Sequence, residues 1–376
     1  MTEFIPGLRL CEFFYHEAVR PILDRRFPGL THSAAKLDRG SDVLGFDTPQ
    51  STDHDWGPKA VLFLEKPAFE GSRMAIVKTL AHELPYEFRG FSTHFCERDV
   101  SDGHLESIDQ GAISHGVNVT TVRGFFEEYV GVHPLEEIRP LDWLLIPQQR
   151  LRTITAGKVF HDGLRQLRRA RDALAWYPRD VWLYLLACQW RRIDQEEPFM
   201  ARCGDVGDEL GSRVVAARLV NELMKLCFLM EKRYAPYYKW FGTAFSELEC
   251  AERLTPVLHA VLASRYWRGR EQALSTAYLH VARMHNELGI AESVEPKIWQ
   301  FHNRPYQVPH SARFVDALYA RIESESVRRL PKHVGGVSQF VDSTDVLDRV
   351  PRCRQLWLLY QQKAQPIAPA HAEPRR

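Results

Sequence analysis

The sequence predicts an α+β protein in which a small mixed sheet with flanking helices is followed by an all-helical bundle. Two observations predict this class. Short runs rich in β-branched and aromatic residues alternate with helical patterns over about the first 130 residues. From Pro140 onward, segments with helical periodicity follow one another, with Pro and Gly between them. We therefore expect residues 1–139 to form one domain, residues 140–362 a helical domain and residues 363–376 a disordered tail.

The N-terminal elements follow from local patterns. Apolar residues recur at helical spacing over residues 8–26 and predict a helix, which Pro21 can kink. Turn residues and apolar runs delimit the other elements. These are strands within residues 31–40, 55–65, 86–95 and 116–126, and a helix over residues 72–84 that is capped by Ser72.

The second half contains five long segments with helical periodicity. Val215, Leu219 and Leu223 begin an apolar stripe in the third of them, as expected for a helix that packs in a bundle. The five predicted helices cover residues 161–176, 179–193, 211–234, 254–267 and 270–288.

Composition narrows the class of protein. The chain has 376 residues, of which 45% are hydrophobic and 26% charged, and its net charge is +1, so we do not expect stable nucleic-acid binding. Seven scattered cysteines form no C-x-x-C pair, which favours a reducing cytoplasm. We expect no signal peptide, because the N-terminus lacks a basic region followed by a long apolar core, and no membrane span, because the sequence has no run of about 18 apolar residues.

Two aspartates lie two residues apart just before an apolar run. If Asp53 and Asp55 begin a strand, their side chains point to the same face and can share a divalent cation such as magnesium. Gly40 and Ser41 lie upstream, where glycine lets a phosphate approach the backbone and the hydroxyl can donate to it. The alternative is a surface turn with two solvated carboxylates.

These residues carry a resemblance. Gly40 and Ser41, followed after a spacer by "STDHD" at residues 51–55, resemble the signature of the polymerase-beta-like nucleotidyltransferase superfamily. The longer stretches "GSDVLGFDTPQSTDHDWGP" and "YAPYYKWFG" resemble an uncharacterised bacterial family, a domain of unknown function with a nucleotidyltransferase-like N-terminal domain. That resemblance extends from about Phe4 to Tyr360.

The resemblance implies a reaction and its participants. Gly40, Ser41 and Ser51 would hold the phosphates of an NTP, with ATP as the expected nucleotide. Asp53 and Asp55 would hold catalytic magnesium or manganese ions. The implied reaction is two-metal in-line transfer of an NMP group to a hydroxyl of a small molecule or another cellular acceptor.

One position departs from the superfamily pattern. Active members usually carry a third carboxylate on a later strand, where this chain has Asn118, which can bind a metal through its carbonyl oxygen but is neutral. This departure opens an alternative, a nucleotide-binding or regulatory protein that has lost its chemistry. A further alternative is a toxin–antitoxin-type nucleotidyltransferase that acts on a partner protein or RNA.

The helical half offers two more candidates. Glu209 can supply a general base, although the segment also suits simple helix capping, with Asp205 as N-cap and Asp208 three residues later. Lys239 lies among aromatic residues, where it can hold a phosphate while a ring stacks on a base. A core turn with amphipathic residues at its rim explains that segment equally well.

Overall fold

A computed structural model of the chain describes residues 3–99 and 102–361. The described residues form the following strands: β1 (His32–Lys36), β2 (Lys59–Leu64), β3 (Glu87–Phe88), β4 (Phe91–Ser92), β5 (Phe95–Asp99), β6 (Asp102–Leu105), β7 (Gly116–Thr120), β8 (Lys158–Asp162), β9 (Trp299–Gln300) and β10 (Gln307–Val308).

Helices make up most of the remaining regular structure. In chain order they are α1 (Gly7–Phe14), α2 (Arg20–Arg26), α3 (Ser41–Leu44), α4 (Lys66–Glu83), α5 (Val122–Val130), α6 (Pro140–Leu145), α7 (Gln148–Ala156), α8 (Leu167–Ala173), α9 (Arg179–Glu196), α10 (Phe199–Asp205), α11 (Glu209–Met230), α12 (Tyr238–Phe245), α13 (Ala251–Ala263), α14 (Trp267–Glu287), α15 (Ala312–Tyr319), α16 (Glu325–Arg328), α17 (Val337–Phe340), α18 (Thr344–Leu347) and α19 (Val350–Gln355). None of these helices combines the length and the apolar character that a membrane crossing requires.

The predicted α+β class is confirmed by a four-stranded mixed sheet in the order β7-β2-β1-β8. Strand β1 pairs antiparallel with β2 and β8, whereas β2 and β7 are parallel. One face of the sheet carries Leu62, Leu64, Val117 and Val119 into a core that also contains side chains of α1, α2 and α4.

The predicted N-terminal helix is confirmed, but it widens in the middle. A π-helical segment, Tyr15–Val19, joins α1 to α2 directly before Pro21. Proline has no N–H and its ring crowds the carbonyl four residues earlier, so a wider turn lets the helix continue without breaking.

Several predicted boundaries in the first half are wrong. Helix α4 begins at Lys66 rather than at Ser72, because Pro67 suits a first helical turn and the following residues continue the pattern. The segment predicted as one strand at residues 86–95 is split by a two-residue turn in which Arg89 and Gly90 both have positive φ.

The region beyond Pro140 is not purely helical, which corrects the sequence interpretation. Strand β8 overlaps the start of the helix predicted at residues 161–176 by two residues, and it is the last strand of the sheet, next to β1. The prediction of a strand over residues 116–126 was also too long, because Thr121 caps α5 and ends the strand at Thr120.

The C-terminal half is dominated by packed helices, as predicted. Helix α9 packs against α11 and α15, and α13 packs against α14. The cap of α11 is Asp208, whose carboxylate accepts a hydrogen bond from the Gly211 N–H at 2.7 Å, so the predicted N-cap at Asp205 is wrong. Asp205 instead ends α10.

The chain divides into two compact units that alternate along the sequence. The first comprises residues up to 138 together with 146–177 and 232–247. The second comprises residues 139–145, 178–231 and those from 248 onward. As a boundary between domains that fold independently, residue 139 stays a prediction.

Candidate functional site

One edge of the mixed sheet collects the predicted nucleotide-binding motifs. Strand β1 ends at Lys36 where β2 begins at Lys59, because the two strands are antiparallel. Strand β7 starts at the same edge, since it is parallel to β2 and Gly116 lies beside Lys59. The loop containing Gly40 and Ser41 leaves this edge, and the turn at residues 53–55 returns to it.

Gly40 has a backbone conformation that favours glycine over any other residue. Its φ is 138°, in a region that residues with a side chain rarely adopt, and a Cβ there would overlap the carboxylate of Asp42. Ser41 follows as the first residue of the four-residue helix α3. The loop therefore depends on glycine at this point, and Ser41 remains partly accessible.

The predicted strand placement of the two aspartates is wrong. Asp53 ends a 3-10 helix, Pro49–Asp53, and Asp55 has a φ of +52°, so the alternation of a strand does not align them. Strand β2 begins only at Lys59, since Pro58 has no N–H for the sheet.

Both carboxylates are nevertheless accessible, and each has a basic neighbour. The side chain of Asp53 is 66% exposed, and its Oδ1 lies 2.8 Å from Nδ1 of His54. The side chain of Asp55 is 36% exposed, and its Oδ1 lies 3.7 Å from Nζ of Lys59. The structure therefore agrees with the second interpretation from the sequence, a surface turn with two solvated carboxylates. Both acids still lie at the same edge of the sheet as the Gly40 loop.

The β5–β6 hairpin holds the turn in place. The N–H of Asp55 donates to the Gly103 carbonyl oxygen at 2.8 Å. The His104 ring nitrogen Nδ1 lies 2.7 Å from the carbonyl oxygen of Asp53. These bonds fix the main chain on both sides of His54 and do not involve the two carboxylates.

The donor set suits a magnesium ion that arrives with a nucleotide. No three His, Cys, Asp or Glu side chains come together as a metal-binding group within residues 3–99 and 102–361. Magnesium is commonly held by one or two carboxylates together with substrate phosphates. Asp53 and Asp55 could provide the carboxylates. Asn118 is exposed on β7 beside Val61, two residues inside the sheet edge.

A buried charge network beneath the Gly40 loop was missed by sequence reasoning. Lys36 is 2% exposed and donates to Oδ1 of Asp38 at 2.5 Å and to the Arg39 carbonyl at 2.9 Å. Burial alone would lower the pKa of Lys36, but Asp38 and Asp42 more than compensate and raise it. A lysine directly after two alanines in a predicted strand was the available signal.

Asp42 is the most unusual member of this network. It is 1% exposed, and neither carboxylate oxygen has a hydrogen-bond partner among the described residues. Burial raises the pKa of this carboxyl, and the ammonium group of Lys36 opposes the rise. Its position directly after Gly40 and Ser41 was the signal that could have drawn attention to it.

Lys59 extends the network to the candidate catalytic turn. Its Nζ donates to the Asp55 carbonyl oxygen at 2.8 Å and lies 5.0 Å from the centre of the Phe95 ring. Burial and then the charge of Lys36 lower the pKa of Lys59, while Asp55 acts in the opposite direction. Charges of opposite sign therefore follow one another from Lys36 at the end of β1, through Asp42 and Lys59, to Asp55 in the accessible turn.

Two predicted phosphate contacts have structural partners. The Oγ of Ser51 accepts a hydrogen bond from the Thr48 N–H at 3.0 Å and helps cap the 3-10 helix. Lys239 is exposed on α12, with its Nζ 5.3 Å from the Trp240 ring. That ring lies 5.4 Å from the ring of Phe46, so the structure brings this segment beside the loop that follows α3.

Glu209 lies in the second unit, at the start of α11. Its carboxylate binds the guanidinium of the fully buried Arg270 and accepts a hydrogen bond from the Trp267 N–H at 3.3 Å. The bond from Arg270 lowers the pKa of Glu209. These contacts give Glu209 a structural role, and its role as a base stays a prediction.

Comparison with known proteins identifies one similar family. A family described as "Domain of unknown function (DUF4037)" matches residues 143–241. This match supports the predicted similarity to an uncharacterised domain family and does not bear on nucleotidyl transfer. Neither the curated proteins nor the solved structures contain a significant match.

Proposed function

We propose that this chain is a magnesium-dependent nucleotidyltransferase that moves an NMP group from an NTP, with ATP as the expected donor, to a hydroxyl of a small molecule or another cellular acceptor. The observation that carries the proposal is the sheet topology. It tethers the loop of Gly40 and Ser41 and the accessible acids Asp53 and Asp55 to one edge. A triphosphate binding there would meet hydroxyl and backbone donors from one loop and carboxylates from the other.

The chain's own residues bind and orient the reactants. The missing side chain of Gly40 lets a phosphate approach the backbone, and the Ser41 hydroxyl donates to a phosphate oxygen. Asp53 and Asp55 would hold magnesium, which when bound neutralises the phosphate charge and stabilises the leaving pyrophosphate.

The reaction is a substitution at phosphorus. The acceptor oxygen forms a bond to the α-phosphorus, and the bond from that phosphorus to the oxygen bridging to the β-phosphate breaks. Pyrophosphate leaves with the electron pair, and the proton of the acceptor hydroxyl leaves to solvent or to a carboxylate. Glu209 stays the sequence-based candidate for that carboxylate.

The direct test supplies each NTP, labelled on its α-phosphate, with magnesium and a metabolite extract. Mass spectrometry is expected to find a nucleotidylated product with the intact chain. Asp53→Asn should reduce its formation at least about 100-fold, since it removes a charge that organises the transferring group. Asp172→Asn changes an exposed acid on α8 and serves as the control. No product with any NTP, or full activity of Asp53→Asn, would refute the proposal.

A second candidate is a protein that binds NTP without transferring it. Two observations favour it: Asn118 is neutral, and the Lys59 ammonium lies 3.7 Å from Asp55 and can compete with a metal for that carboxylate. Calorimetry separates the two candidates. Magnesium-dependent NTP binding that Asp53→Asn weakens, without any product in the transfer assay, would favour the second candidate.

A further inference from the structure

A cavity of about 490 Å³ is lined entirely by residues of the second unit. One wall is formed by the start of α10, with Phe199 and Arg202. The other is the turn between β9 and β10, which contributes Phe301, His302 and Arg304. The volume is within the range of about 300–1,000 Å³ that is typical of small-molecule sites.

The cavity is cationic. Arg202 and Arg304 both line it, and no carboxylate side chain does. Neither guanidinium has an ion pair or side-chain hydrogen bond among the residues that the structure describes, whereas Arg218, Arg270 and Arg329 of the same unit form ion pairs. The nearest acid is Asp205, whose Oδ2 accepts a hydrogen bond from the Tyr306 hydroxyl at 3.2 Å. Two arginines without partners at one cavity favour an anionic ligand.

The cavity also presents aromatic surface. Phe199 is 47% exposed, and Phe301 across the cavity is half-buried. His302, next to Phe301, has a φ of +52°, a conformation that a residue with a side chain rarely adopts outside functional or tight turns. One exposed and one half-buried ring beside two guanidinium groups match the way proteins hold a base and its phosphate.

We propose that this cavity binds an aromatic anion of the nucleotide type, in which a planar base contacts Phe199 and Phe301 and an attached phosphate is bound by Arg202 and Arg304. A free mononucleotide and the end of a single-stranded RNA share this chemistry. The inference does not depend on nucleotidyl transfer, because all of the lining residues belong to the second unit.

The test measures AMP binding by calorimetry in the full-length Asp53→Asn chain with EDTA, which suppresses nucleotide binding at the first site. AMP is expected to bind. Arg202→Ala/Arg304→Ala should weaken it about tenfold or more, and Phe199→Ala about fivefold or more. The changed side chains are all exposed, so the fold should persist, which thermal melting verifies. The matched control, Arg253→Ala/Arg283→Ala, removes two exposed arginines elsewhere in the second unit and should leave the affinity unchanged.

The ligand series decides the chemistry. Adenosine and inorganic phosphate, each carrying one half of the ligand, should bind at least about tenfold more weakly than AMP. A short single-stranded RNA that binds more tightly than AMP, and loses affinity in the same variants, would identify an RNA end as the source. The inference is wrong if AMP does not bind, if phosphate binds as well as AMP, or if the Arg202→Ala/Arg304→Ala variant binds as well as its parent.

Discussion

At the scale of single residues, the most informative side chain is a buried carboxylate with no hydrogen-bond partner in the part of the chain that the structure describes. Asp42 lies directly under Gly40, with Lys36 as its main charge partner. Leaving a buried carboxylate unsatisfied costs free energy, and natural chains keep such groups mainly where function needs them. The placement of Asp42 between the loop and the charges leading to Asp55 is consistent with a role in positioning the loop.

Asp42→Asn should stabilise the chain by about 1 kcal/mol or more at neutral pH, because it removes a charge that burial disfavours. The folded chain holds the Asp42 proton more tightly than the unfolded chain, where aspartate titrates near pH 4. Stability from this group is therefore lost as the pH rises from about 4 through the raised folded pKa. Urea unfolding at several pH values should show the gain of Asp42→Asn growing with pH.

The matched variant Asp172→Asn changes an exposed carboxyl and should give the same small difference at every pH. A destabilised Asp42→Asn chain at pH 7 would mean that the attraction between Asp42 and Lys36 outweighs burial. That result would contradict the direction of the pKa shift.

At the scale of elements, local patterns predicted the long helices of the second half well, but they missed strand β8 and several short helices. The apolar periodicity of α9, α11 and α14 is a property of neighbouring residues, so the sequence carries it directly. Strand β8 has five residues, and its partner β1 lies more than a hundred positions earlier. No local signal reports such a pairing, and the flanking helical segments dominate the pattern.

The candidate site shows the same limit. The sequence identified Asp53, Asp55, Gly40 and Ser41 because their spacing is a local signature. The 3-10 helix at residues 49–53 was missed, although the bonds between Thr48 and Ser51 that cap it are local. The bonds from the β5–β6 hairpin to Asp53 and Asp55, which hold the turn after it, could not be read from local sequence. The sequence also could not show that Lys36, Asp42 and Lys59 lie close together below the Gly40 loop, because they belong to β1, α3 and β2.

Asp162, the last residue of β8, connects this strand to β1 and to the start of α8, so its replacement tests how much β8 contributes to stability. Its carboxylate accepts hydrogen bonds from the Ser33 hydroxyl at 2.9 Å and from the N–H groups of Leu167 and Arg168 at 3.3 and 3.0 Å. Asp162→Ala should lower the free energy of unfolding by about 2 kcal/mol, since hydrogen bonds to a charged group are lost and donors are left without a partner.

Urea denaturation measures that loss, and Asp162→Asn should lose less because it keeps one acceptor oxygen. Adding EDTA should leave both results unchanged, because the role assigned to Asp162 is structural. A metal-dependent effect would contradict this role and would indicate that His161 and Asp162 bind a metal.

At the scale of the whole molecule, the chain passes repeatedly between its two compact units. Segments at residues 146–177 and 232–247 complete the first unit, although they lie far along the sequence from its other strands. Composition and periodicity change near Pro140, so a sequence alone suggests a boundary there. The first unit nevertheless includes β8, because without β8 the backbone N–H and C=O groups along one side of β1 would have no strand to pair with.

A fragment of residues 1–139 is therefore expected not to fold cooperatively. It lacks β8, which pairs with β1, and it lacks α12, whose Trp240 packs against Phe46. Far-UV circular dichroism with urea titration should show a broad, non-cooperative transition for this fragment and a sharp one for the full chain. A fragment of residues 1–177 restores β8 and should gain cooperativity relative to 1–139. If residues 1–139 instead unfold sharply, with a midpoint close to that of the full chain, the boundary predicted from the sequence is the true limit of a folding domain, and the later segments only add to a sheet that is already stable.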